Sequence, residues 1–151
     1  MMDTLHFPMS NNGFSLRQAF WSSDQEALSG VRERVFIHEQ HVPKELEWDT
    51  LDQDAIHVLA LDCDNRPIGT GRRLPSGQIG RMAVIDSWRN RGVGSAILLR
   101  LMELPPPTGE PPLFLNAQIT AVEFYKRHGF QIVGPQFIEA GIIHYRMERE
   151  Q

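Results

Sequence analysis

Apolar and polar positions follow two periods along this chain, and the switches between them mark its elements. In residues 55–62, Ile56, Val58 and Ala60 fall on one face and His57, Leu59 and Leu61 on the other, the period of a strand. Asp62-Cys63-Asp64-Asn65-Arg66 is turn chemistry, and residues 67–74 return as the second strand of a hairpin. Pro75-Ser76-Gly77 turns the chain again, into an apolar strand over 79–85 that ends in β-branched Val84 and Ile85. Strands are also predicted over 14–21, 113–117, 130–133 and 136–138, with a last one through Tyr145 and Met147.

Helical spacing replaces alternation in three places. Leu28, Val31, Val35 and Phe36 predict a helix reaching about Gln40, opened by a capping box of Ser23 and Glu26. Val93, Ile97, Leu101 and Leu104, with Leu98 and Met102 beside them, form the stripe of a helix packed on a sheet. Residues 119–128 form the third helix, with Ala121, Val122 and Tyr125 inward and Gly129 as a left-handed C-cap. Antiparallel strands followed by a βαβ unit predict an α/β fold: a mixed, mostly antiparallel twisted sheet of about six to seven strands, with helices on both faces. Residues 105–112, rich in proline, are excluded from helix and central strand and read as a stiff surface connection.

Composition narrows the function classes. A chain of 151 residues fits one domain, 1–151, with 1–13 as a loose N-terminal segment. The net charge of -4 gives a nucleic-acid partner no electrostatic support. No apolar run spans a membrane, and no secretory signal is visible. The single cysteine, Cys63, excludes an internal disulfide and fits a reducing cytoplasm. Cys63 falls at a hairpin tip with no base adjacent in sequence, which speaks against a nucleophile. His38 and His41 lie three apart without a convincing third ligand, so no metal is expected.

The stretch from Gln78 to Ser95 carries the candidate chemistry. A strand runs into Arg89-Asn90-Arg91-Gly92-Val93-Gly94-Ser95 and then a helix. A helix start leaves N–H groups unpaired and carries partial positive charge, and glycines let a phosphate approach them. Arg89 and Arg91 add charge, so the stretch suits an anionic, diphosphate-bearing ligand. A dinucleotide fingerprint fails because Ile97 stands where its third glycine belongs, and no Gly-Lys-Ser/Thr exists for a Walker loop. A plain strand-to-helix turn with a tight glycine contact remains the alternative.

Arg89-x-x-Gly92-x-Gly94 after a strand resembles the acetyl-CoA signature of the GCN5-related N-acetyltransferase (GNAT) family. Ala121-Val122-Glu123-Phe124-Tyr125-Lys126-Arg127-His128-Gly129-Phe130 resembles the family's second signature, in the right order and place. A finer resemblance is to its small bacterial, ElaA-like branch. It rests on Val35 through Pro43, Glu47-Trp48-Asp49 with Asp52, Ile79 through Val84, and Glu139 through His144. Gln118 departs from the family pattern, where many members carry Asn, and the Pro-rich stretch is peculiar to this chain.

The resemblance implies a GNAT-like fold in which acetyl-CoA lies between two splayed parallel strands. Backbone groups of Met82, Ala83 and Val84 would pair with the pantetheine arm. Residues Arg89, Asn90, Arg91, Gly92, Val93, Gly94 and Ser95 would surround the pyrophosphate. Asn116 would reach the same arm, and Tyr125 would protonate the leaving thiolate. It implies direct acetyl transfer to a primary amine, small and cationic or on a peptide or lysine. Glu39, Glu47, Asp49, His57, Arg81, Glu139 and His144 stand as acceptor-side residues. Glu47 and Glu139 are the foremost catalytic candidates for the base, with Asp49, His57 and His144 beside them. The acidic run from Glu45 to Asp54 is expected to attract a cationic acceptor. A homodimer is left open. The competing classes are a non-catalytic CoA-binding or sensing domain on the same fold, and an interaction protein using the Pro-rich stretch.

Overall fold

The computed structural model describes residues 13–104 and 112–149. The predicted loose start, apart from Gly13, and most of the Pro-rich stretch lie outside the described residues. The elements are β1 (Phe14–Ala19), α1 (Trp21–Arg32), a π-helical stretch (Glu33–Glu39), α2 (Lys44–Glu47), β2 (Ile56–Asp62), β3 (Pro67–Arg73) and β4 (Gln78–Val84). Then follow α3 (Val93–Glu103), β5 (Leu113–Gln118), α4 (Val122–Lys126), β6 (Gln131–Ile132), β7 (Phe137–Glu139) and β8 (Ile142–Arg149).

All described strands join one eight-stranded sheet in the order β1-β2-β3-β4-β5-β8-β6, with β7 also on β8. Every neighbouring pair is antiparallel except β4 and β5. The sheet holds eight strands where about six to seven were expected, and the short β6 and β7, separated at Gly134-Pro135 as predicted, both pair with β8. Helices cover both faces, as the alternation of β3 shows. Gly69 and Gly71 face α3: a Cβ on Gly71 would stand 2.9 Å from both Ile97 Cγ2 and Leu101 Cδ1. Thr70 and Arg72 face the other way, Thr70 Oγ1 donating to Val58 O on β2 and Arg72 reaching Asp52 in the segment that follows α2. Val58, Ala60, Ile79, Ile97, Leu98, Leu101, Leu115, Phe130 and Met147 are buried in the main core. Each of the larger of these side chains, Ala60 excepted, stabilises the fold by roughly 1.5–3 kcal/mol.

Two boundaries differ from expectation. The first helix opens at Trp21, with Phe20 as N-cap, not at Ser23. The reason is Asp24, which accepts the Phe20 N–H at 2.9 Å and is clamped by Arg17, so it takes the place assigned to Glu26. The same helix does not stay α-helical to Gln40. It widens into π turns, with Gln40 N–H reaching Val35 O at 3.0 Å and Val42 N–H reaching Phe36 O at 2.8 Å. His41 then turns the chain in a left-handed conformation before Pro43.

Candidate active site

β4 and β5 run side by side only at Gln78 with Phe114 and Ile79 with Leu115. Beyond those pairs they part, and the gap is a cleft of about 550 Å³. It is lined by β4 along its length, the ends of β5 and the β7–β8 hairpin, α4, and the π-helical stretch with α2. A bulge in β4 helps open it. Three steps along β4, from Ala83 to Gly80, face only two along β3, from Thr70 to Arg72. The extra residue lies at Arg81, held at a φ of 51°. A bulge of this kind re-aims a side chain, and here it sends Arg81 across to the α2 segment. Its guanidinium reaches Glu47 O at 3.0 Å, Glu47 Oε2 at 3.2 Å and Asp49 Oδ2 at 3.1 Å.

Ile85 N–H donates to Ile68 O, and alternate residues turn their backbone groups to opposite edges of a strand. Ala83 therefore spends its backbone groups on β3, which corrects the expectation that it would pair with the pantetheine arm. Met82 and Val84 turn theirs into the gap. The Val84 carbonyl is already taken by Arg89 Nε at 2.9 Å. Arg89 also grips Glu39 through both terminal nitrogens, so it is less free for a phosphate than its place in the motif implied. Glu39 in turn is held below the usual carboxylate range by that guanidinium.

At the same end of the cleft, α3 begins without any side-chain cap. Its first intrahelical bond is Ala96 N–H to Gly92 O, so the N–H groups of Val93, Gly94 and Ser95 find no partner within the helix. Gly92 has a φ of 84° and Asn90 a φ of 62°, so the loop arrives in a left-handed conformation that suits glycine and asparagine. Arg91 lies over the Trp88 ring at 4.8 Å. Ser95 Oγ is hydrogen-bonded to His128 Nε2 at 3.0 Å. Burial and the nearby Arg127 and Arg149 push the His128 imidazolium down, which keeps that ring neutral.

Tyr125 enters the cleft from α4, 8% exposed. Its ring packs edge-on to Phe124 and Phe130. Burial pushes its phenol above the usual range, so the hydroxyl keeps its proton at neutral pH. Asn116 and Gln118 line the opposite wall from β5. Gln118 Nε2 donates to Gln40 Oε1 at 2.9 Å, across the cleft.

The acidic segment does not gather as free charge. Arg32, 1% exposed, bonds Glu47 at 2.8 Å and Asp52 at 2.7 Å, and its guanidinium lies over Trp48. Arg72 holds Asp49 and Asp52, each at 2.8 Å. With Arg81, three guanidinium groups face three carboxylates. Burial pushes the Glu47 carboxyl up, against the pull of Arg81 and Arg32. The Arg72 guanidinium holds Asp49 down at about 2. Glu45 and Asp54 are exposed outside the cleft. The expectation of converging negative charge is thus corrected: the segment is a neutralised brace.

His57 is not brought to the cleft. It is buried between β2 and α1, stacked on Trp21 and bonded to Asp52 O at 2.9 Å, and burial pushes its imidazolium down. Glu139 and His144 do line the cleft, on one face of the β7–β8 hairpin. Sequence reasoning missed the cross-cleft pair of Gln40 and Gln118 and the role of Arg32, whose partners lie far along the chain. Cys63 is exposed in the β2–β3 turn, away from all of this. No helix among the described residues is long and apolar enough to cross a membrane.

Comparison with known proteins agrees with this geometry. The family model described as an acetyltransferase (GNAT) domain matches residues 21–151. The uncharacterized N-acetyltransferase YjcF of Bacillus subtilis is 36% identical, over 94% of this chain and 97% of its own length. The protein ElaA of Escherichia coli is 30% identical, over 82% of this chain and 86% of its own. Among solved structures, an acyl-CoA N-acyltransferase from Pseudomonas aeruginosa superposes with a TM-score of 0.78 at 27% identity, covering 91% of this chain and 99% of the other. The crystal structure of Escherichia coli ElaA gives 0.76 at 27% identity, with coverage of 91% and 99%.

Proposed function

The chain belongs to the GNAT acetyltransferase family and is an acyltransferase, and we propose that it moves acetyl from acetyl-CoA directly onto a primary amine. The observation that carries this reading is the cleft between β4 and β5, with the uncapped start of α3 at one end and Tyr125 inside it. The cosubstrate fits the groups present. Val93, Gly94 and Ser95 N–H offer donors to a pyrophosphate. Met82 offers a free strand edge to the pantetheine amides, and Asn116 faces it from β5. A Cβ on Gly94 would stand 3.5 Å from the Phe124 ring, an ordinary contact, so packing of α3 on α4 does not itself require a glycine there.

The chemistry then divides between two sides of the thioester. Tyr125, protonated and without a hydrogen-bond partner among the described residues, donates to the sulfur as the C–S bond breaks. The amine approaches from the side of the π-helical stretch, past Val35, Phe36, Val42 and Leu46. With Glu47 and Asp49 held by arginines, Glu139 is the cleft carboxylate left to receive its positive charge. The acceptor class is a small amine or the lysine or N-terminal amine of a peptide, and the protein works in the cytoplasm as one acyltransferase unit.

Calorimetry with acetyl-CoA on the wild type and on Gly92→Val tests the binding half. Strong binding that is lost in a folded variant supports the reading. Equal affinity in both moves the cosubstrate elsewhere.

A further inference from the structure

The geometry points to His144 as the general base that takes the proton from the attacking amine, through its Nε2 atom. This rests on the acyl-transfer reading above and supplies the group it left open. Apart from Glu139, which lines the cleft as the carboxylate for the acceptor's charge, the other titratable candidates are engaged or remote. Glu47 is held by Arg32 and Arg81, Asp49 by Arg72 and Arg81, and Glu39 by Arg89. His57 is buried against Trp21 and Asp52, outside the cleft lining.

His144 is different in three respects. It lines the cleft that holds Tyr125, and it is only 8% exposed. Its ring is fixed, stacked on Phe137 at 5.7 Å. Its Nδ1 lies 2.7 Å from Ile142 O. A carbonyl oxygen only accepts, so Nδ1 carries a proton, and Nε2 is the ring nitrogen left to act as a base. A buried, oriented imidazole with a defined tautomer is what base catalysis near neutral pH requires.

The groups facing it are few. Gln118 lies opposite on β5 and Phe137 on β7. Glu139 shares its face of the hairpin, and Arg146 follows on β8, paired with Glu148. Glu47 and Arg81 stand across the cleft. Glu139 therefore receives the ammonium form of the acceptor, and His144 removes its proton.

His144 Nε2 first takes one proton from the bound ammonium and passes it to water; the neutral amine nitrogen then forms a C–N bond to the thioester carbon, and its second proton passes to His144 Nε2. The C–S bond breaks, and the sulfur takes the Tyr125 proton. The imidazolium then gives its proton to water and Tyr125 regains one from water, which leaves an amide and free CoA thiol.

His144→Asn is the decisive variant, because its side-chain amide keeps a donor near the Nδ1 position and lacks the Nε2 base. Kinetics with acetyl-CoA and phenethylamine, from pH 5 to 9, should show kcat/KM reduced by roughly 10²- to 10⁴-fold near neutrality. The rising acid limb of the wild-type profile should disappear, and added imidazole should restore part of the rate. The loss should be smaller with O-benzylhydroxylamine, which is already neutral across this range. The acetyl-CoA KM should stay within about twofold, as for a group that acts only on the amine side. A uniform loss that keeps the limb, or removal of the limb by Glu139→Gln instead, overturns the assignment. Nitrogen NMR of the free wild-type protein tests it without any acceptor: His144 as the Nδ1–H tautomer agrees, and the Nε2–H tautomer refutes it. Wild-type transfer to either amine with no effect of His144→Asn would leave acyl transfer standing and remove only this inference. Absence of acetyl transfer to any amine would remove both.

Discussion

Gln118 Nε2 and Gln40 Oε1 meet at 2.9 Å, although 78 residues separate them, and their bond ties the end of β5 to the end of the π-helical stretch. The two side chains close one side of the cleft where the family pattern often places a shorter Asn. Removing the bond should widen the acceptor end. Gln118→Ala is expected to raise the KM of the amine several-fold and leave that of acetyl-CoA nearly unchanged. Stability should fall by only about 0.5–1.5 kcal/mol, because the groups are part-buried and water replaces the partner. Initial-rate kinetics with each substrate varied in turn checks the split.

The brace around Arg32 sets the position of the α2 segment and so of the cleft wall. Arg32→Ala leaves Glu47 and Asp52 buried with one cation fewer, Arg81 and Arg72 remaining. Breaking a buried pair from one side costs about 3–5 kcal/mol, and urea unfolding should show a loss of that order. Arg32→Met fills more of the space between Trp21 and Trp48 and should recover part of it. Equal stability in wild type and Arg32→Ala would mean the segment is not held by this network.

Acid should loosen the same brace through Asp49. Its folded value, about 2, lies below the ordinary carboxylate value, because Arg72 binds the ionised form. A depressed carboxylate contributes stability that is fully present above the unfolded value and is lost as the pH falls through the folded one. The window is therefore about pH 4 down to about 2. The contribution is at most ~2 kcal/mol, since the group is partly exposed and screened. Asp49→Asn should flatten the acid limb of the stability curve over this window, as read by thermal unfolding across pH.

Gly71 stands opposite the bulge in β4. A Cβ there would lie 2.6 Å from Met82 Sδ as well as against Ile97 and Leu101. Gly71→Ala should destabilise by about 1–3 kcal/mol through overpacking. It should also weaken acetyl-CoA binding, because Met82 is the residue whose backbone faces the gap. A stable variant with wild-type affinity would show that the bulge tolerates crowding.

The fold was legible where one short stretch states its own role. Alternation in 55–62 and the turn chemistry after it gave the hairpin, and Gly129, with a φ of 90°, caps its helix in the expected left-handed conformation. The Gly92–Gly94 loop and Tyr125 were equally local. What escaped depends on distant partners. Glu47 and Asp49 read as free charge because nothing near them in sequence announces Arg32, Arg72 and Arg81. The helix through Val35 has an ordinary apolar stripe, and its widening into π turns shows only in the bonds to Val35 O and Phe36 O. The choice of Nε2 as the basic nitrogen of His144 follows from a backbone carbonyl, which a sequence does not reveal.

The central claim is direct acetyl transfer within one cleft, with Tyr125 donating to the sulfur. A single-turnover experiment with acetyl-labelled acetyl-CoA and a mixed amine pool tests it most directly, with products and protein followed by mass spectrometry. The account predicts labelled amide appearing in step with free CoA, unmodified protein throughout, and a roughly ten- to ten-thousand-fold slower release in Tyr125→Phe with acetyl-CoA still bound. Label accumulating on the protein before any amide forms, or an unchanged rate in Tyr125→Phe when chemistry limits turnover, would contradict it.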